Sequence, residues 1–277
     1  MKRNYYCLIA GLQDIALDTH KLSMGQVEFK QELAEELHPA DFFWIQKLFL
    51  PHDHTNLLSL LHKKDETTWD PKGNYSKEIF EENIKEPTGD LPNYMNRFIE
   101  AQKNNDSIFP KTSPENQLTI LFYEYILSAG NEFLRNWFRF NRNLNNILTA
   151  MICRKYDIPY ENQIIGFDDI SETIKKSHAR DFGLTAEIDY MDELINISKL
   201  ENTQEREKSV ERLRWSFLDE HTFFEYFTTD KVMAFMIKLG MVERWLSIDT
   251  EYGTKMFNEL LNELKSSYKL PETFTEK

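Results

Sequence analysis

Apolar residues recur along most of the chain at helical spacing. Val27, Phe29, Leu33 and Leu37 line a segment that Ser23 is placed to cap and that stops before Pro39, and Phe42, Phe43, Ile45, Leu48 and Phe49 mark a second helix that stops at Pro51. A short third helix is predicted through Asn56, Leu57, Leu58, Leu60 and Leu61, with Asp53 placed to cap it and His62-Lys63-Lys64 at its end. That arrangement puts acid at the positive helix end and base at the negative end. Residues 65–75, with Trp69-Asp70-Pro71 and Gly73, read as a loop, after which Ser76 starts a polar helix ending near Pro87. Leu91-Pro92 opens a further helix carrying the stripe Tyr94, Met95, Phe98 and Ile99.

Ser113-Pro114, a capping residue followed by proline at the first helical position, is the strongest start signal in the chain. It opens a pattern that runs to Tyr156, with Gly130 as the place where it bends or divides; unbroken and straight, it would span about 60 Å. Further helices are predicted over 169–180, with Asp168 or Asp169 as cap, over 185–200, and from Thr203 through Val210, Leu213 and Phe217. A last pair covers 230–246 and 249–268, and the tail 271–277 is expected to be disordered. Near the start, Tyr5 to Ala10 carry too little periodicity to separate a short strand from a first helical turn. The fold class is therefore all-α, a single helical domain over 1–277 with approximate sub-bundles 1–110, 111–200 and 201–270.

Composition sharpens this picture. Nine glycines and nine prolines are few for 277 residues, which argues against a loop-rich sandwich or barrel. The 20 Phe, 12 Tyr and 5 Trp fall mostly inside amphipathic segments, where helix packing accounts for them. With 46 acidic against 33 basic side chains the formal charge is −13, so nucleic acid and anionic lipid heads are repelled and a basic protein surface is attracted. Cys7 and Cys153 are too few for a disulfide framework and read as buried thiols in a reducing compartment. The most apolar stretches, 118–129 and 232–241, contain Glu124 and Lys238 and fall short of the roughly 20 residues needed to cross a bilayer.

One internal echo stands out. With Asn56 set against Asn146, the pairs Leu57/Ile147, Leu58/Leu148, Ser59/Thr149, Leu61/Met151 and Lys64/Arg154 match in character. An asparagine inside an apolar helix asks for a hydrogen-bonding partner, either a helix end or an equivalent place in two related bundles about a common axis. Val232, Ala234, Phe235, Lys238, Glu243 and Trp245 offer a weaker third copy.

Candidate chemistry is sparse. His52-Asp53-His54 is the best set of metal donors, but it supplies at most three ligands and has no matching cluster elsewhere. No Gly-rich phosphate loop, nucleophile elbow or zinc-protease histidine pair is present. No catalytic residue, metal ligand, cofactor or small-molecule substrate is assigned. The alternatives are a metal-dependent helical enzyme or regulator centred on His52, Asp53 and His54, and a generic helical adaptor.

The segment Asp53-His54-Thr55-Asn56-Leu57-Leu58-Ser59-Leu60-Leu61-His62-Lys63-Lys64 resembles the D-x-x-N-L-x-x-L-L-x-x-K signature of the C/d family of V-type ATPase components. Phe140 to Lys155, with Asn143 and Asn146, resembles the equivalent helix of that family's second repeat, and Val232 to Lys238 that of the third. The opening Asn4-Tyr5-Tyr6-Cys7-Leu8-Ile9-Ala10 is similar to a bacterial family of uncharacterised proteins encoded among V-type ATPase components. The resemblance implies three related helical bundles about a pseudo-threefold axis, forming a funnel between the central stalk and the membrane rotor ring. It also implies torque transmission without chemistry, partners in stalk and ring, and a cytoplasmic position at the membrane face. Asp53, Asn56, Leu57, Leu61, Lys64, Asn143, Asn146 and Arg154 are the residues expected to define the bundles.

Overall fold

The computed structural model describes the backbone of residues 3–62 and 69–267, with side chains through Asp249; Lys64 and the tail 271–277 lie outside the described residues. Every regular element among them is a helix, in agreement with the all-α expectation. In chain order these are α1 (Tyr6–Ala10), α2 (Gln26–Glu36), α3 (Pro39–Leu61), α4 (Lys77–Lys85), α5 (Asn93–Lys103), α6 (Pro114–Leu127), α7 (Glu132–Lys155), α8 (Asp169–Lys176), α9 (Met191–Lys199), α10 (Thr203–His221) and α11 (Thr229–Ser267). Helix α7 packs on α6, α8, α9 and α10, while α11 packs on α2, α3 and α10, and α3 also meets α2, α4 and α6. No helix of the described residues is long and apolar enough to cross a membrane.

Several ends fall where capping chemistry puts them. Ser76, Ser113 and Asp168 each accept a backbone N–H from the first turn of the helix they precede, and Pro114 occupies the first position of α6. Ser23, by contrast, is no cap: its N–H and hydroxyl both donate to Gln13 Oε1, and α2 begins after Gly25. The stretch from Ser113 to Tyr156 is not one rod. Leu127 ends α6, Gly130 lies in the break, and Asn131 caps α7 by accepting from Leu134 N–H.

The largest departure from the sequence reading concerns Pro51. It does not end a helix but sits inside α3, so the two helices expected on either side are one. An interior proline removes one backbone bond and crowds the preceding turn, at a cost of about 3 kcal/mol. Burial of Phe49, Leu50 and Leu57 on both sides of it offsets that cost. Asp53 is accordingly a mid-helix residue and not an N-cap. The last predicted pair also merges into α11, because Ser247-Ile248-Asp249 contains no breaker. Helices α8 and α9 are shorter than predicted; left-handed Phe182 and Gly183 set the turns between them.

The N-terminal ambiguity resolves as a helix: Tyr6–Ala10 form α1, and the extended pairing is confined to an isolated antiparallel bridge between Asn4 and Thr228. Cys7 is exposed and Cys153 half-buried, so neither is the fully buried thiol expected.

Candidate functional site

Asn56 and Asn146 do the same thing. The Asn56 carboxamide donates to the Asp70 carbonyl (3.0 Å) and accepts from the Asp70 N–H (2.9 Å), and Asn146 donates to the Ile165 carbonyl (2.8 Å) and accepts from the Ile165 N–H (2.9 Å). Each buried side chain thus satisfies both backbone groups of one residue in the segment that follows its helix, as a neighbouring strand would. Neither asparagine caps its own helix, as one of the two alternatives would have it.

The likeness extends beyond the carboxamide. One helical turn before each asparagine is a cationic or ionisable donor that meets a carboxylate of the clamped segment: His52 Nδ1 lies 2.6 Å from Asp70 Oδ2, and Arg142 pairs with Asp168. A lysine then takes the next carbonyls: Lys30 Nζ donates to those of Lys72 (2.8 Å) and Gly73 (3.0 Å), and Lys175 Nζ to that of Gly166 (3.0 Å). Both segments carry a glycine at the point of closest approach. A Cβ on Gly73 would lie 2.7 Å from Asp53 Oδ1, and Gly166 has φ +103 with Arg142 and Ser171 against it.

A looser third version involves α11. Glu243 Oε1 accepts the Gln26 N–H (2.8 Å) beside Gly25, its Oε2 takes Lys72 Nζ (2.7 Å), and Gln26 Nε2 donates to the Met236 carbonyl (3.0 Å). Here the gripped segment precedes α2 in the chain, so the last long helix closes onto the beginning of the fold.

Helices α3, α7 and α11 run in the same sense past two cavities. The first, about 690 Å³, is lined by their opening turns through Asp41, Trp44, Glu132, Phe133 and Asp230, together with His221 and Glu225. The second, about 600 Å³, is lined by later residues of the same three helices, among them Phe49, His52, Trp137, Asn145, Met236 and Arg244. Asp41, Glu132 and Asp230 each lie in the first turn of their helix, where the helix dipole favours a carboxylate. At the second cavity Arg214 bridges α10 to α7 by donating to Asn141 and Asn145, and it shares Glu211 Oε1 with Arg244 of α11. Glu211 Oε2 is buried with no hydrogen-bond partner among the described residues.

The other expected residues fall around the clamps. Leu57 is fully buried, Leu61 packs at the edge of the core, and Asn143 accepts from the Arg142 guanidinium. Arg154 closes the far end of α7: it donates to Tyr160 Oη and to the carbonyls of Ser177 and Ala179, and its guanidinium lies 4.0 Å over the Phe182 ring. Its counterpart Lys64 lies outside the described residues. Arg142, Asp168, Asp70, Lys30, Gly73 and Gly166 complete the arrangement, although spacing alone does not mark them as its members, and Glu243 is the residue of the weaker third copy that takes part. Extending the Asn56/Asn146 echo back by one turn would have paired His52 with Arg142.

His52, Asp53 and His54 do not converge. His52 turns to Asp70, Asp53 accepts the N–H groups of Asn74 (2.7 Å) and Tyr75 (3.2 Å), and His54 Nε2 lies 2.7 Å from Tyr94 Oη. Consecutive helical residues point about 100° apart, so the reading of a three-donor metal centre loses its geometry. Their surroundings shift their protonation. Burial pushes the Asp53 carboxyl up to about 6 against the pull of the Asn74 and Tyr75 N–H groups and Lys30. Burial alone takes His54 down to about 3, and burial lowers Lys30 to about 8. Burial also acts to raise Asp168, but the Ser171 bonds and Arg142 hold it below the ordinary carboxylate value.

A family model described as "Protein of unknown function (DUF2764)" matches residues 1–268. No curated protein and no solved structure matches the chain.

Proposed function

The chain belongs to the DUF2764 family, and from that premise we propose that it is a non-catalytic coupling component of a V-type ATPase rotor, seated between the central stalk and the membrane ring. The observation that carries this reading is the repetition along three helices that line the same two cavities. Three long helices of common sense, each gripping a glycine-bearing segment through a polar side chain, border the same two cavities. On this reading the three helices are the cores of three related bundles about a pseudo-threefold axis, and the funnel they form is the part that engages the stalk. Its acidic mouth suits a basic stalk foot.

The mechanism is mechanical. Torque delivered by the stalk passes to the ring through a body that must not deform, and close-packed helices cross-tied by the clamps supply that stiffness. No step of bond making is assigned to the chain, which acts at the cytoplasmic face of the membrane without entering it.

The test is co-purification of the tagged full chain from a bacterium that carries a V-type ATPase. Stalk and ring proteins are expected to accompany it at constant ratio and to be lost as ionic strength rises. Recovery of the chain without either set of proteins, after mild cross-linking in the cell, would sink the assignment.

A further inference from the structure

The segment joining α10 to α11, residues 222–228, leaves four aromatic rings in water: Phe223 is 64% exposed, Phe224 80%, Tyr226 63% and Phe227 37%. Tyr6, 56% exposed, lies beside them with its ring centroid 4.6 Å from that of Phe227, and Phe223 meets Phe224 edge to face at 4.9 Å. Scattered apolar residues on a surface need no explanation, but four exposed aromatic rings in one short loop do.

The group is held in place. Tyr5 N–H donates to the Phe227 carbonyl (2.8 Å), Asn4 bridges Thr228, and Glu225 N–H donates to the Thr222 carbonyl (3.1 Å). Thr222 is buried with its hydroxyl on the Leu218 carbonyl (2.7 Å), and the Thr228 hydroxyl donates to Glu225 Oε2 (2.7 Å). The rings are therefore displayed on a fixed frame, which lowers the ordering cost of binding.

What covers them is decided by charge. The loop borders the first cavity, to which it contributes Glu225 and Thr228 beside His221 at the end of α10, and which is otherwise acidic through Asp41, Glu132 and Asp230, with no Lys or Arg among its lining residues. Asp41 is engaged with Arg3 and Tyr5, Glu225 with Thr228 and Asp230 with Asn131, and no group of His, Cys, Asp and Glu among the described residues is arranged to hold a metal ion, so the carboxylates supply a field. That field repels anionic lipid and phosphate, and it repels the same face of a second copy. It attracts a basic group.

We propose that the aromatic loop and the acidic cavity beside it form one docking surface for a partner-protein segment that is both apolar and positively charged, such as an amphipathic helix with lysines or arginines flanking its apolar stripe. This rests on reading the acidic mouth as a receptor for a partner, and asks nothing of that partner beyond its chemistry.

The probe is a labelled leucine–lysine amphipathic peptide of about four turns, titrated by fluorescence anisotropy against the full chain, with a leucine–glutamate peptide of equal length as counterpart. The lysine peptide is expected to bind, less tightly as salt rises, and the glutamate peptide not to bind. Phe223→Ser with Phe224→Ser should weaken binding by about tenfold or more at an unchanged melting temperature, because those rings already face water. Tyr156→Ser with Ile158→Ser, at another exposed apolar position, should leave affinity as it was. Equal affinity for the loop variant and the native chain overturns the proposal, as does equal loss in both variants. A photoreactive residue in place of Phe224 that cross-links a second copy, or loop-dependent binding to phosphatidylcholine–phosphatidylglycerol vesicles without peptide binding, assigns the rings elsewhere. If the peptide results hold while stalk and ring proteins fail to co-purify, the rotor assignment falls and the docking surface stands; the converse removes the docking surface alone.

Discussion

The two asparagine clamps make matching bonds and are supported by different chemistry. Around Asn56 the support is spread over several groups: His52 meets Asp70, Asp53, its carboxyl raised to about 6 by burial, gathers the Asn74 and Tyr75 N–H groups, and Lys30 holds the carbonyls of Lys72 and Gly73. Around Asn146 the support is a permanent cation, Arg142, buried against the more exposed Asp168. Geometry is common to both because it is set by a carboxamide satisfying two backbone groups. The neighbouring charges decide only how each joint responds to solvent, which means that one architecture carries a joint whose buried carboxyl is raised and another whose carboxyl is held low.

The sharpest way to break the comparison is at the carboxylates. Asp168→Ala strands a guanidinium that is 5% exposed and removes the cap of α8, so a loss of about 3 kcal/mol is expected in chemical denaturation. Asp70→Ala should cost only about 1 kcal/mol, since Asp70 and His52 are both partly exposed to water. Equal losses would mean that the two joints are not chemically distinct. Next come the asparagines: Asn56→Leu and Asn146→Leu should each cost about 1 to 3 kcal/mol and by similar amounts. A neutral result at one position alone would show that its two bonds contribute nothing and that the echo is only visual.

The smallest effect concerns pH. Asp53, at about 6 in the fold against 3.8 when free, takes up a proton on folding, so its contribution to stability grows as pH falls through 6. His54, at about 3 against 6.5, sheds one, so the stability it confers above pH 6.5 drains as pH falls towards 3. Between pH 7 and 5 the two nearly cancel. Asp53→Asn removes the gain and leaves the loss, so the variant should lose about 1 to 2 kcal/mol over that range while the native chain changes little. Parallel pH profiles for variant and native chain would show that Asp53 does not titrate there.

Much of this was legible in the chain itself, for identifiable reasons. Helix class followed from periodicity, and Ser76, Ser113-Pro114 and Asp168 announced their helices because capping is local chemistry. Pro51 misled because its tolerance depends on what packs around α3, which spacing does not reveal. The echo at Asn56 and Asn146 was visible, but the partners Asp70 and Ile165 lie in segments of unequal length and unlike composition. A backbone group can be clamped whatever side chain it bears, so the recipient leaves no mark in the sequence.

The grip of Glu243 on Gln26 and Lys72 joins the first and last thirds of the chain. During synthesis the early helices leave the ribosome long before α11 exists, so the Gln26 amide and the Lys72 ammonium must wait in water until the final long helix emerges. That contact can form only after α11 has been made, and contacts of such large sequence separation form late and slowly. A chain stopped ahead of α11 therefore leaves the first turn of α2 and the Lys72 ammonium without the carboxylate that ties them together.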